Sequence, residues 1–161
     1  MSILGIKKSK ILIDDEDVKR IYEEKWHVNV WGKYPLLGKK NSVGKWEYVL
    51  MHRFILNCPK EKQVDHINHN TFDNRKINLR ICSNVENHRN TKIHSNNKTG
   101  YKGVSWNKKS NKYESRIKVN KNKLHLGLFE NKIEAARAYN YAAVKYFGEY
   151  ALLNSFERSR S

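Results

Sequence analysis

The sequence predicts an α+β fold built from two small modules in which short antiparallel strands outnumber helices. The first observation is a strand, loop, strand and helix pattern over about residues 62–90, which forms the core of a predicted first domain at residues 1–90. The second is a set of three alternating segments followed by an amphipathic helix, which predicts a second domain at residues 101–156. The helix is expected at about residues 132–147, with Tyr146 on its apolar face. Residues 91–100 are polar and lack apolar periodicity, so we expect a linker there.

The region before the first pattern is predicted to be rich in antiparallel strands. Residues 3–13 alternate loosely, and the acidic run at residues 14–17 is typical of a helix start, with helical spacing continuing to Trp26. Glycines at positions 32, 38 and 44 separate three strand-like runs, which favours an antiparallel meander. These runs lie at residues 27–31, 33–37 and 45–56.

The first pattern places two short strands and a helix around an Asn/Asp-rich loop. The strands are predicted at residues 64–67 and 79–82, and the side chains of the loop between them favour turns. Ser83 and Glu86 have the spacing of a capping box, so a helix is expected to begin there with Asn87 in its first turn. The order predicts a ββα unit.

Four polar residues of this unit carry the candidate chemistry. Asp65 and Asn87 offer oxygen ligands of the kind that Mg²⁺ or Mn²⁺ prefers. His66 is a candidate general base, and Asn78 is a candidate catalytic brace whose amide would bond loop backbone and hold His66 in place. Adjacent side chains of a regular strand point to opposite faces, so Asp65 and His66 can share a site only if the chain turns or bulges there.

The charge balance predicts a polyanionic partner. Among 161 residues, 32 Lys and Arg oppose 16 Asp and Glu, giving a formal net charge of +16. A Lys-, Asn- and Ile-rich composition from an AT-rich genome is the alternative explanation. Between His88 and His125 the single acidic residue is Glu114, and strand alternation would place it on an exposed face with Arg116. The basic residues of this stretch are Arg89, Lys92, Lys98, Lys102, Lys108, Lys109, Lys112, Arg116, Lys118, Lys121 and Lys123.

Cysteine usage and hydropathy predict the compartment. Cys58 and Cys82 form no C-x-x-C pair, which argues against a structural zinc and against a disulfide framework. The sequence contains no run of eighteen apolar residues and no apolar signal core at its N-terminus. We therefore expect a soluble intracellular protein without membrane association, in the bacterial cytoplasm or in a phage-infected host cell.

The segment VDHINHNTFDNRKINLRICSNVEN resembles the Asp-His…Asn…Asn variant of the HNH endonuclease family, known from phage and intron homing endonucleases. The resemblance covers residues 64 to about 90 and implies a site-specific, metal-dependent DNA endonuclease. Asn87 takes the position that gives the family its final His; the rival, His88, would point about 100° away around the helix. The upstream residues 51–53 resemble the strand that precedes the site in the family, with Arg53 at a phosphate.

The segments YKGVSW, KYESRIKV, LGLF, EAARAYNYAA and ALLN closely resemble the AP2 domain, over about residues 101–154. The resemblance implies a three-stranded sheet in the major groove of double-stranded DNA, with the helix packed behind it. Several positions that carry Arg or Trp in the plant proteins are Lys, Ser or His here, so the plant target sequence should not be carried over. Trp106 would either stack on a sugar or brace a turn. The predicted DNA contacts are Arg53, Arg75, Arg89, Lys102, Ser105, Trp106, Arg116, Lys118, Lys123 and His125.

Together these features predict a homing-type DNA endonuclease that uses a His general base and one divalent metal. The alternative is a non-catalytic, sequence-specific DNA-binding regulator that uses the second domain alone. The sequence contains no long apolar stripe that would predict a dimer or another protein partner, so a monomer that nicks one strand per encounter is favoured.

Overall fold

The computed structural model describes residues 1–6, 9–29 and 33–156 and has an α+β architecture of small antiparallel sheets and few helices. The predicted fold class is confirmed at this level. The chain divides into two compact units, Met1–Asn87 and His88–Ser161. Within the described ranges, no helix is long and apolar enough to span a bilayer.

The first unit begins with a hairpin and a short helix that supply its core. Strands β1 (Ser2–Ile6) and β2 (Ser9–Ile13) pair antiparallel, and helix α1 (Val18–Tyr22) follows a 3₁₀ turn. Ile11, Ile13 and Ile21 are fully buried in one cluster. The helix is shorter than its predicted extent to Trp26, because the Trp26 indole donates to the Ile21 carbonyl at 2.8 Å and begins the next strand.

The predicted antiparallel meander is confirmed. Strands β3 (Trp26–Val28), β4 (Pro35–Lys40) and β5 (Trp46–Leu50) form a sheet in the order β3-β4-β5. Residues 30 and 31 of the first predicted run lie outside the described residues. Gly38, expected between strands, lies inside β4. A Cβ there would stand 3.2 Å from the Tyr48 ring and 3.5 Å from the Trp46 ring, so the glycine makes room for both.

The strand predicted at residues 45–56 is wrong beyond Leu50. Helix α2 (Met51–Ile55) follows β5 directly, so the strand that the family resemblance implied at residues 51–53 is also wrong. Met51 and Ile55, four residues apart, are 0% and 2% exposed and pack into the same core cluster as Ile21. Residues i and i+4 share a face in either structure, but a strand would separate them by about 13 Å, whereas a helix brings them to about 6 Å apart along its axis.

The strand, loop, strand and helix order of residues 62–90 is present. Strands β6 (Gln63–His66) and β7 (Leu79–Cys82) pair antiparallel, and helix α3 (Asn84–Arg89) follows. The capping box forms: the Glu86 carboxylate accepts from the Ser83 amide at 2.7 Å, and the Ser83 hydroxyl accepts from the Glu86 amide at 3.2 Å.

The second unit is a three-stranded sheet covered on one face by a long helix. Strands β8 (Val104–Asn107), β9 (Lys112–Val119) and β10 (Asn122–Phe129) are ordered β10-β9-β8, and helix α4 (Lys132–Phe147) has the predicted extent. Tyr139 and Ala143 of α4 pack against Ile117 of β9, whereas Tyr146, predicted on the apolar face, is 39% exposed. Residues 91–100 contain no helix or strand.

Candidate active site

The β6–β7 hairpin organises the candidate site. Asp65 pairs across the hairpin with Arg80, and His66 pairs with Leu79, without a break in register. The bulge expected at Asp65 and His66 is therefore absent, and the chain turns one residue later, at Ile67. Because side chains alternate along a regular strand, Gln63 and Asp65 share one face of β6 while His66 projects from the other.

Asp65 is held by its cross-strand neighbour. The Arg80 guanidinium donates to Asp65 Oδ2 from Nε at 2.9 Å and from Nη2 at 2.6 Å. Both side chains are largely buried, with 7% of the Asp65 side chain and 11% of the Arg80 side chain exposed. A buried ion pair of this geometry fixes the position of the carboxylate.

Asn87 lies against the Asp65 face of β6. Its amide nitrogen donates to the side-chain oxygen of Gln63 at 2.6 Å, and its backbone amide is bonded to the Ser83 carbonyl in the first turn of α3. Since Gln63 and Asp65 share a face, the helix delivers an amide group to the side of the hairpin that carries the carboxylate.

His66 is buried on the opposite face, in a pocket of ring and amide groups. Its ring centroid lies 4.9 Å from that of His52 and 6.3 Å from that of Tyr34, and its Nε2 lies 3.4 Å from Asn74 Oδ1. Burial lowers the pKa of His66, while the Asn74 hydrogen bond and the nearby charges of Asp65 and Asp73 oppose that shift. The imidazole is therefore neutral near pH 7, as a proton acceptor must be.

His52, which contacts His66, should make the protein sensitive to acid. Burial, followed by the positive charges of His66 and Arg53, lowers the pKa of His52 from 6.5 to about 3. The unfolded chain therefore binds more protons between these two values. The stabilisation is complete above about pH 6.5 and is lost as the pH falls toward 3.

We expect His52→Phe to flatten this acid dependence. The measurement is the free energy of unfolding in urea at about pH 7.5 and about pH 5, where the wild type should lose stability and the variant should lose less. The matched control is His94→Phe, at an exposed position, which should keep the wild-type difference. Equal acid losses in His52→Phe and the wild type would contradict the prediction.

Asn78 joins the two ends of the loop between β6 and β7. Its side-chain oxygen accepts from the backbone amide of Asn68 at 3.0 Å, and its side-chain nitrogen donates to the Asp73 carbonyl at 2.8 Å. These are backbone contacts of the kind expected of a brace, and they hold the loop that carries Asn74 against His66.

Several residues around the site carried no sequence signal. Asn74 and Asp73 read as turn residues, yet Asn74 is fully buried and faces His66, and Asp73 is 2% exposed. Gln63 and Arg80 are recognisable only once the strand register is known. Asp73 binds the Arg75 guanidinium through two hydrogen bonds of 2.7 Å, so Arg75, a predicted DNA contact, already has an anionic partner.

The Arg53 guanidinium also has protein partners. It donates to the carbonyls of Lys62 and Pro59 at 2.7 Å and of Cys58 at 3.3 Å. These bonds close the loop between α2 and β6, so Arg53 braces the approach to the hairpin.

In the second unit, one face of the sheet gathers exposed basic side chains. Lys118 pairs across the strands with Lys123, and Arg116 pairs with His125; all four are exposed. Glu114, 7% exposed, binds Arg116 Nη2 at 2.7 Å and His125 Nδ1 at 2.9 Å. Burial raises the pKa of Glu114, but the hydrogen bonds and charges of these two partners outweigh it and hold the carboxyl below its usual value.

Of the other predicted DNA contacts in this unit, Ser105 lies on the basic face of the sheet and Trp106 lies on the opposite face. Ser105 is exposed and pairs with Glu114, so it shares the basic face. Trp106 alternates to the other face and packs edge-on against Tyr113, with ring centroids 4.8 Å apart. The Arg89 guanidinium lies 5.0 Å above the Phe147 ring.

Lys102 is engaged with backbone. Its ammonium donates to the carbonyls of Arg89 and Thr91 at 2.8 Å and 2.7 Å, and burial lowers its pKa to about 8. The amine therefore ties the end of α3 and the chain just after it, at residues 89–91, to the loop before β8, all within the second unit.

A comparison with known proteins shows the family of the chain. Over 139 residues the chain is 31% identical to an uncharacterized HNH endonuclease of Acanthamoeba polyphaga mimivirus, covering 83% of this chain and 68% of that protein. The chain belongs to the HNH endonuclease family. No protein-family model matches the chain.

HNH nucleases typically use a divalent metal, and the donor set on the Asp65 face of the hairpin fits such an ion. A buried carboxylate and a side-chain amide oxygen are the hard ligands that small divalent cations prefer. Asn87 donates its amide nitrogen to Gln63, which leaves the amide oxygen as the group available to a cation. These two residues are the candidate cation ligands of this HNH protein.

Proposed function

We propose that this HNH protein is a site-specific, metal-dependent DNA endonuclease of the homing type that hydrolyses phosphodiester bonds with His66 as general base. The observation that carries the proposal is that the β6–β7 hairpin and the helix after it place three candidate groups around one short strand. Asp65 and Asn87 lie on one face, and His66 ends the same strand. A phosphodiester across this end of β6 would have the cation ligands on one side and the imidazole on the other.

The orientation of the Asn74 amide supports a role for His66. The Asn74 side chain donates its nitrogen to the Thr71 carbonyl at 3.2 Å, so its oxygen is the atom that faces His66 Nε2. An amide oxygen only accepts, so this contact is a hydrogen bond when His66 Nε2 carries the hydrogen. We propose that the His66 ring takes the proton from the attacking water and that Asn78, by holding the loop, keeps Asn74 in this orientation.

Mg²⁺ or Mn²⁺, when bound to Asp65 and Asn87, would neutralise charge on the phosphate and stabilise the leaving oxygen. The protein's own part is to present Asp65 Oδ atoms and Asn87 Oδ1 in fixed positions. Arg80 fixes the first group, and the capping box of α3 fixes the helix that carries the second.

We further propose that residues 101–156 form an AP2-type DNA-binding domain, joined by a linker at 91–100 to a nuclease domain at 1–90. The exposed face of β9 and β10 supports this, because a basic two-stranded surface fits a major groove. Arg116, Lys118, Lys123 and His125 lie on it, with Ser105 at its edge. A single site per chain would nick one strand as a monomer.

The test is metal-dependent nicking of supercoiled DNA. A supercoiled plasmid library with randomised inserts is incubated with the protein and Mg²⁺, Mn²⁺ or EDTA, and open-circle ends are sequenced. We expect recurrent nicks at one sequence with metal and none with EDTA. DNA that is bound sequence-specifically but never cut would instead support the non-catalytic regulator.

Charge reversal on the sheet should weaken DNA binding in a salt-dependent way. We expect Lys118→Glu and Lys123→Glu each to lower affinity and to reduce the slope of log K against log salt by about 0.9 for each lost phosphate contact. Fluorescence anisotropy over a salt series measures this. Lys145→Glu, the same charge change at an exposed position of α4, is the control; slopes equal to its slope would remove the sheet face from the interface.

A further inference from the structure

We infer that Gln63 is a positioning residue that orients the Asn87 amide so that its oxygen, and not its nitrogen, faces the cation. The inference rests on the proposed function and concerns a residue outside the Asp-His…Asn…Asn pattern. An Asn ligand presents oxygen and nitrogen on the two branches of one planar group. A half-turn about the last side-chain bond would exchange a ligand for two N–H donors.

The hydrogen bonds around Gln63 fix that choice. Gln63 Nε2 donates to Asn84 Oδ1 at 3.4 Å, so Gln63 Oε1 points the other way and accepts from Asn87 Nδ2 at 2.6 Å. The two asparagines are three residues apart and therefore neighbours on one face of α3. In this order of donors and acceptors, Asn87 Nδ2 faces Gln63 and Asn87 Oδ1 is turned away from it.

The location of Gln63 connects this chain of amides to the carboxylate. Gln63 lies two residues before Asp65 on β6, on the same face, about 6–7 Å away along the strand. Its partner across the hairpin is Cys82, whereas that of Asp65 is Arg80. The strand therefore carries one cation ligand directly and orients the second through Gln63. Partners that orient a metal ligand typically contribute about 10–100-fold in metal affinity.

The test measures metal binding without cleavage. The full-length protein is titrated with Mn²⁺ alone, and free Mn²⁺ is followed by electron paramagnetic resonance. We expect Gln63→Leu to raise the Mn²⁺ dissociation constant by about 10-fold or more. A double-mutant cycle with Asn87→Ala separates mechanism from general damage. If Gln63 acts through Asn87, then Gln63→Leu should change affinity little once Asn87 is already alanine.

Two comparisons keep the outcomes separate. Thermal unfolding checks that Gln63→Leu is folded, with Gln63→Val, which favours a strand, as a second variant. Three results would each overturn the inference: wild-type Mn²⁺ affinity in either folded variant, an effect of Gln63→Leu that is unchanged in the Asn87→Ala background, or unfolding of both variants. The nuclease assignment would stand in each case. Absence of Mn²⁺ binding together with absence of cleavage in the wild type would instead remove the proposed function.

Discussion

His66→Ala should reduce DNA cleavage by about 10²–10⁴-fold, the usual contribution of a general base. DNA affinity should remain at the wild-type value, because His66 is 6% exposed and contacts Asn74 and His52. Burial lowers the pKa of the imidazole, so the ring is neutral near pH 7 and can accept a proton. Removing the ring removes that acceptor while leaving Asp65 and Asn87 in place.

The measurement is a single-turnover cleavage rate at a mapped nick site, paired with a dissociation constant in EDTA. His66→Gln, which keeps more of the side-chain volume, guards against a packing defect, and His94→Ala is the control for loss of an exposed imidazole. Parallel losses of binding and rate in His66→Gln would show that His66 supports the fold or the interface. A wild-type rate in either His66 variant would place the base elsewhere.

Sequence signals were sufficient where short-range bonds decide the structure. The Ser83 and Glu86 side chains satisfy each other's backbone amides, so their spacing alone marks the start of α3. The apolar repeat of residues 132–147 likewise predicts α4, because one helix face must cover a sheet. Both elements depend on residues within a few positions of one another.

Prediction from local sequence was wrong at α2, because burial against distant segments decides that residues 51–55 form a helix. Residues 45–56 are rich in aromatic and apolar residues and long enough for a strand, and such short segments do not distinguish strand from helix. The hairpin, α1 and β6 leave a place in the core for Met51 and Ile55 together. That requirement is set by segments distant in the chain, so no local pattern contains it.

The candidate site likewise combines residues that the sequence identifies with residues that only the tertiary structure brings together. The spacing of Asp65, His66 and Asn87 is a sequence property, but the groups that hold them are found through register and loop closure. Arg80 reaches Asp65 only because the hairpin pairs them, fifteen residues apart. In the sequence Asn74 is typical of a turn, whereas in the structure the folded loop places its side chain against His66. A count of positive charges could not reveal that Arg53 is bound to backbone carbonyls.

Gly103→Ala should unfold or severely destabilise the second unit and with it abolish the DNA binding that we propose for this unit. Gly103 has φ +75, where an L side chain costs about 1–2 kcal/mol. A Cβ there would stand 2.0 Å from the buried Tyr139 ring and 2.7 Å from the Arg116 carbonyl. The Gly103 carbonyl also accepts from the Arg116 amide at 2.8 Å, so the backbone cannot move away freely. Overpacking adds about 1–3 kcal/mol, giving a total of about 2–5 kcal/mol.

Gly100→Ala is the matched control, because it changes the backbone preference without the collision. Gly100 has φ +77, and a Cβ there meets nothing within 4 Å, so its cost should be limited to about 1–2 kcal/mol of backbone strain. Urea unfolding followed by tryptophan fluorescence, with Trp106 as a reporter of the sheet, measures both variants. A loss in Gly103→Ala no larger than that in Gly100→Ala would mean that the Tyr139 ring can move aside. The close approach of Gly103 to α4 would then not be what holds the sheet and helix together.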